Sequence, residues 1–71
     1  MKMLEYAKMI LEKVSFEPSL FEKELRKALI RLYPSELQEL KSWCFMEFSD
    51  RFLFILKVCF KDVPELETVA L

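Results

Sequence analysis

The sequence contains neither glycine nor histidine. Without glycine, the chain cannot form the glycine-rich loops that cradle phosphate groups. Without histidine, it lacks the side chain most often used for acid–base catalysis near neutral pH and for many metal sites. We therefore predict that the protein is not an enzyme, that it has no catalytic residues, metal or other cofactor, and that it acts on no small-molecule substrate.

Cysteine is scarce as well, because only Cys44 and Cys59 are present, fifteen residues apart. This spacing does not match the CxxC pairs of zinc and redox sites. Both cysteines fall among apolar residues, so buried thiols are the simplest interpretation, and the sequence leaves a pairing between them open. Residues 1–14 lack the unbroken apolar run of a signal peptide. We therefore expect a cytoplasmic protein, since disulfides are rare in that reducing compartment.

The sequence has no excess of either charge, since it contains eleven Lys and Arg residues and twelve Asp and Glu residues. This balance argues against nucleic acid as a partner, since nucleic-acid-binding proteins normally carry a basic face that neutralises phosphates.

Long apolar runs are also missing. The longest, Phe52–Phe60, spans nine residues and is interrupted by Lys57, whereas a membrane-spanning helix needs roughly 20. We expect no transmembrane segment. Lys57 is best explained as a residue at the solvent-exposed edge of a mostly buried helix, where its charged end reaches water.

Apolar residues make up 54% of the 71 residues, more than the roughly 45 to 50% of typical globular domains. They are densest in residues 43–61, where thirteen of nineteen side chains are apolar. A domain of this size buries only about 60% of the surface that its unfolded chain exposes. The surplus predicts an exposed apolar patch, which usually marks an interface. We expect a homo-oligomer, most simply a two-fold dimer.

Helical spacing of apolar residues predicts an all-α protein, a single domain over residues 1–71 with three or four helices. Pro18 and Pro34 interrupt the pattern, and serines with partners three residues later predict capping boxes, Ser19 with Glu22 and Ser35 with Gln38. Short connections predict antiparallel neighbours in a small bundle. The predicted helices cover residues 2–14, 19–32, 35–48 and 50–61, followed by a tail at 62–71.

The first three predicted helices each carry one apolar face, which we expect to form the core. The faces comprise Met3, Leu4, Ala7, Ile10, Leu11 and Val14 in the first; Phe21, Leu25, Ala28, Leu29 and Leu32 in the second; and Leu37, Leu40, Cys44 and Phe48 in the third.

The segment after Phe48 admits three interpretations. Ser49 and Asp50 are suited to cap a separate helix over 50–61, which is the interpretation that the pattern favours. One long bent helix is the second, supported by a continuous stripe of charged residues. The alternation of apolar residues from Phe52 to Phe60 also fits a strand, but no other segment shows the hairpin signal of a partner strand.

Function is predicted to lie in protein–protein association, either with a second copy or as an adaptor or regulator of another protein. Aromatic and methionine side chains at the centre of a patch are typical of interface cores. The alternative is a module that binds apolar ligands or a membrane surface with the aromatic C-terminal helix. The candidate interface residues are Trp43, Phe45, Met46, Phe52, Leu53, Leu56, Phe60 and Ile30.

Overall fold

The computed structural model describes residues 2–61, in which three α-helices and no strand are present. The prediction of an all-α protein is confirmed, and the strand interpretation of the aromatic segment is wrong. The predicted tail at 62–71 lies outside the described residues. The helices are α1, Met3–Lys13; α2, Pro18–Arg31; and α3, Pro34–Phe60.

The described chain divides into two compact units, with the boundary between Leu32 and Tyr33. In the first unit, α1 and α2 pack against each other, and burial of a large apolar side chain there stabilises the fold by roughly 1.5 to 3 kcal/mol. The single domain stays a prediction. The buried residues of the two helices all belong to the predicted faces: Leu4, Ala7 and Leu11, and Phe21, Leu25 and Ala28.

The predicted faces are wider than the buried ones. Met3 is 42% exposed, while Ile10, Val14 and Leu29 are half-buried. These residues lie at the edges of the apolar stripes, where contact with solvent remains.

Helix α2 begins at Pro18, and Glu17 is its N-cap. The Glu17 carboxylate accepts hydrogen bonds from the Ser19 backbone N–H at 3.0 Å and from the Ser19 hydroxyl at 2.9 Å. The predicted capping box of Ser19 with Glu22 is wrong, because proline suits the first helical position and holds the preceding residue extended. The hydrogen bonds from Ser19 lower the pKa of Glu17.

Helix α3 begins in the same way, with Pro34 as its first residue and Tyr33 as its N-cap. The Tyr33 backbone N–H donates to the Glu36 carboxylate at 3.0 Å. The predicted box of Ser35 with Gln38 is therefore wrong. The proline places the cap two residues earlier than predicted, at Tyr33 in place of Ser35, so that Glu36 rather than Gln38 stands three residues after the cap.

Helix α3 is sharply bent at Phe52, whose backbone angles, φ −122° and ψ 27°, are not helical. The rings of Phe45 and Phe60 lie 6.2 Å apart, although fifteen residues of straight helix would separate them by about 22 Å along the axis. Two helical stretches meet at this kink, so α3 lies between the predictions of two separate helices, at 35–48 and 50–61, and of one bent helix. The break lies at Phe52 and not at Ser49–Asp50.

Neither proline nor glycine, the usual causes of sharp kinks, is present at the bend. We attribute it to packing of the aromatic rings. A helix that is apolar on nearly all sides buries more of its surface when it folds towards itself, and the contact of Phe45 with Phe60 stabilises that arrangement. We call residues 34–51 the first segment of α3 and residues 53–60 the second segment.

Candidate interaction surface

Phe48 is the centre of an aromatic cluster just before the bend. Trp43 meets its ring edge-on at 5.4 Å between centroids, and Phe52 lies at 6.0 Å. The Arg51 guanidinium stands 5.7 Å from the Phe48 centroid and 5.1 Å from that of Phe52. Each aromatic pair contributes about 0.5 to 1.5 kcal/mol beyond its buried area, and an exposed cation–π contact about 0.5 to 1 kcal/mol. These ring and cation–π contacts therefore stabilise the turns of helix just before the bend.

The second segment of α3 presents apolar side chains to solvent. Phe54 is 78% exposed, Leu53 42% and Val58 39%. Residues four apart are neighbours on a helix surface, so Phe54 and Val58 share one face. Leu53 lies about 100° around the helix axis from Phe54, at the edge of the exposed side. We call these three residues the outer patch. Met46, 79% exposed, is a further apolar side chain on the first segment.

The eight predicted interface residues fall into three groups. Met46, Leu53 and Ile30 are exposed, and Trp43 and Phe45 are half-buried. The other three are buried: Phe52, Leu56 and Phe60. Because the bend turns these last three inward, they stabilise the single chain and present no surface to a partner.

Phe54 and Val58 were not among the predicted interface residues, yet they form most of the outer patch. The signal that identifies them is their position relative to Leu56, which is completely buried. A residue two places away along a helix points about 200° around the axis, to the opposite side. Once Leu56 is known to face inward, Phe54 and Val58 must face outward.

Ile30 is separate from the outer patch, on α2. It is 85% exposed, and its neighbours one turn earlier, Arg26 and Lys27, are exposed cations. Arg26 forms an ion pair with Glu22 at 2.9 Å. A single apolar side chain among charges is common on protein surfaces and does not indicate a binding site.

A shallow groove of about 180 Å³ lies between α1 and α2. Pockets that enclose a small molecule usually have about 300 to 1,000 Å³ and a few converging polar groups. Lys27 at the edge of this groove is paired with Glu24 at 3.4 Å. The groove is therefore poorly suited to an apolar ligand. It is lined by Met3, Tyr6, Ala7, Ile10, Glu24, Lys27, Ala28 and Arg31.

The chemistry of the described residues is that of a packed apolar core. Within residues 2–61 no polar or charged side chain is buried, and Cys44 and Cys59 are buried thiols, as predicted. The same residues contain no group of three or more His, Cys, Asp or Glu arranged to hold a metal ion. No helix in this part of the chain combines the length and the apolar character needed to cross a membrane.

Comparison of the chain with protein-family models, with curated proteins and with solved structures finds no match.

Proposed function

We propose that the protein acts by association with a second copy of itself through the exposed apolar side chains of α3. The observation that carries the proposal is the exposure of Phe54, at 78%, beside Leu53 and Val58. Phe54, which has Val58 as its neighbour one turn further on, is an exposed aromatic side chain of the kind that is enriched in protein interfaces. The exposed apolar side chains of the outer patch are therefore more typical of a protein interface than of a helix face in contact with water.

A second copy of the chain is the simplest partner, because no other protein has to be assumed. Closed two-fold dimers are the commonest oligomers, and a two-fold interface needs only one patch that complements itself. In the proposed dimer the outer patch of each copy is buried against α3 of the other copy, and the helices that meet pack antiparallel as part of a helical bundle. The two buried thiols support the reducing cytoplasm that we propose as its compartment.

The affinity of such a dimer depends on a few buried side chains and not on area alone. Association costs about 4 to 15 kcal/mol of translational and rotational freedom and further ordering of side chains. Because only a few apolar residues from each copy are available to offset this cost, we propose a dimer of moderate affinity. Its formation must be measured as a function of concentration.

The test is the molar mass in solution, measured by light scattering from about 1 µM to about 1 mM, the range that corresponds to moderate affinities. A reductant is present throughout. We expect the wild type to reach the mass of a dimer within this range. Phe54→Gln should remain a monomer, because it replaces the ring at the centre of the patch. Ile30→Gln is the matched control, an exposed apolar residue on another helix, and should behave as the wild type.

A wild type that is monomeric at every concentration would overturn the proposal. Equal weakening by Phe54→Gln and Ile30→Gln would show that association uses a different surface. A third outcome is a monomer that binds vesicles containing phosphatidylserine and loses this binding with Phe54→Gln. It would replace self-association by the membrane-surface function.

A further inference from the structure

Charge is segregated along α3, with the change of sign close to the bend. Residues 34–50 contain four carboxylates and one lysine, whereas residues 51–61 contain three cations and no carboxylate. The whole chain is nearly neutral, so this separation is a local property of α3. A helix divided in this way has two surfaces of opposite sign within one compact unit.

On the first segment, exposed carboxylates border the exposed Met46. Glu47 follows Met46 directly, and Asp50 is one turn further on; both are exposed. Residues three or four apart on a helix are neighbours, so Met46, Glu47 and Asp50 form one continuous surface. We call it the acidic face.

On the second segment, exposed lysines border the outer patch. Lys57 is three residues after Phe54, and Lys61 is three residues after Val58; both lysines are exposed. The same neighbour rule places these cations at the edge of the apolar surface. We call the outer patch together with Lys57 and Lys61 the basic face.

We infer that the two copies pair reciprocally, with the acidic face of each copy against the basic face of the other. This inference rests on the proposed self-association and specifies its arrangement. Contact of two basic faces would place Lys57 and Lys61 of both copies together, and like charges across an interface disfavour association. Acidic-to-basic contact removes this repulsion and covers Met46 as well as Phe54.

Two-fold symmetry makes the pairing reciprocal. When the acidic face of one copy contacts the basic face of the other, the symmetry axis generates the second contact of the same kind. The dimer then has two identical sets of opposite charges at the edge of an apolar centre. Such edge charges chiefly determine which surfaces meet and how fast, while the apolar side chains supply most of the affinity.

The inference is tested with two charge-reversed proteins. Glu47→Lys/Asp50→Lys makes both faces basic, and Lys57→Glu/Lys61→Glu makes both faces acidic. We expect each variant alone to show at least a tenfold weaker dimer, because each is repelled by its own copies. Mixed in equal amounts, the two should form a heterodimer at least as tight as the wild type, since every contact is then between opposite charges. Analytical ultracentrifugation of each variant and of the mixture measures these constants.

A protein carrying all four substitutions is the control for damage to the fold. Its faces are exchanged in sign but remain complementary, so it should dimerise as the wild type does, with unchanged helicity by circular dichroism. Increasing NaCl from about 0.05 to about 0.5 M should weaken the wild-type dimer and strengthen the association of each singly reversed protein, because salt screens exposed charges.

The outcomes separate this inference from the proposal on which it rests. If the wild type and both reversed proteins dimerise equally, self-association stands and the reciprocal charge pairing is wrong. If both reversed proteins are monomeric and their mixture is also monomeric, the pairing is again wrong. If the wild type itself is a monomer at every concentration, the proposed self-association fails.

Discussion

The α1–α2 pair and the bent helix α3 differ in how apolar side chains are distributed around the helix axis. In α1 and α2, the buried residues follow one stripe, and the opposite side carries charges such as the ion pair of Glu22 with Arg26. In α3, apolar residues occupy nearly every side after Trp43. Part of them, including Leu56, is buried, and part, including Phe54, is exposed.

The two regions show how the pattern of apolar residues along a helix affects the amount of apolar surface that stays exposed. A helix with a single apolar stripe can bury that stripe against a neighbour, and the rest of its surface, which is mostly polar, contacts water. A helix that is apolar all round has more apolar surface than one chain of this size can cover. The exposed apolar residues of α3 are the surface on which the proposed self-association depends. Substitutions matched between the two regions test this difference.

The largest effect is expected in the core of the α1–α2 pair. Phe21 is completely buried, so Phe21→Ala should lower the free energy of unfolding by about 3 to 5 kcal/mol through lost burial and a cavity. Phe16→Ala removes the same side chain where it is 76% exposed and should change stability by no more than about 0.5 kcal/mol. Urea unfolding followed by circular dichroism measures both. Similar losses would show that the core is not centred on Phe21.

Within the second segment of α3, a buried and a partly exposed side chain are expected to respond differently. Leu56→Ala should destabilise the protein by about 2 to 5 kcal/mol, because Leu56 is completely buried. Leu53→Ala should cost less than about 1 kcal/mol, because much of that side chain stays in water, while it weakens self-association. Fluorescence of Trp43, the single tryptophan, reports unfolding, and light scattering reports association. A reversed order of stability would contradict the assigned burial of Leu56.

The bend itself is expected to have a smaller, measurable energy. A double-mutant cycle of Phe45→Leu and Phe60→Leu should give a coupling of about 0.5 to 1.5 kcal/mol, because the two rings are in contact. A parallel cycle of Phe45→Leu with Phe54→Leu should be additive within about 0.5 kcal/mol. Absence of coupling in the first cycle would indicate that α3 does not bring these rings together.

The smallest effect is expected at the start of α2. Hydrogen bonds from Ser19 lower the pKa of the Glu17 carboxyl, so the charged form is favoured in the folded state. Its contribution to stability is present above the pKa of the unfolded chain and is lost as the pH falls through the lowered pKa. Glu17→Gln should therefore lower the melting temperature slightly at neutral pH and not in acid. A constant difference at all pH values would exclude this charge effect.

Much of the fold was predictable because local signals agree. Pro18 and Pro34 set the first residues of α2 and α3 to within one residue of the prediction, and the periodic apolar residues identified the buried side of each of the first three predicted helices. The capping partners were predicted wrongly, because serine and a residue three places later match the capping pattern at many positions. Proline at the first helical position decides between them, since it determines which residue is the cap.

The candidate surface was only partly predictable. Met46 and Leu53 were identified as surplus apolar residues and are exposed, but Phe54 and Val58 were not identified. A helix with apolar residues on every side contains no internal indication of which side faces inward. That indication came from Leu56 and from the contact of Phe45 with Phe60.

The sequence by itself determined that the protein is helical, where its helices begin, and which residues line the core up to Phe48. These properties depend on interactions within a few residues, namely helical periodicity and the fixed backbone angle of proline. Only the tertiary structure decided that α3 bends at Phe52 and that Phe54 points to solvent. These properties depend on contacts between residues far apart in the chain, which no local pattern specifies.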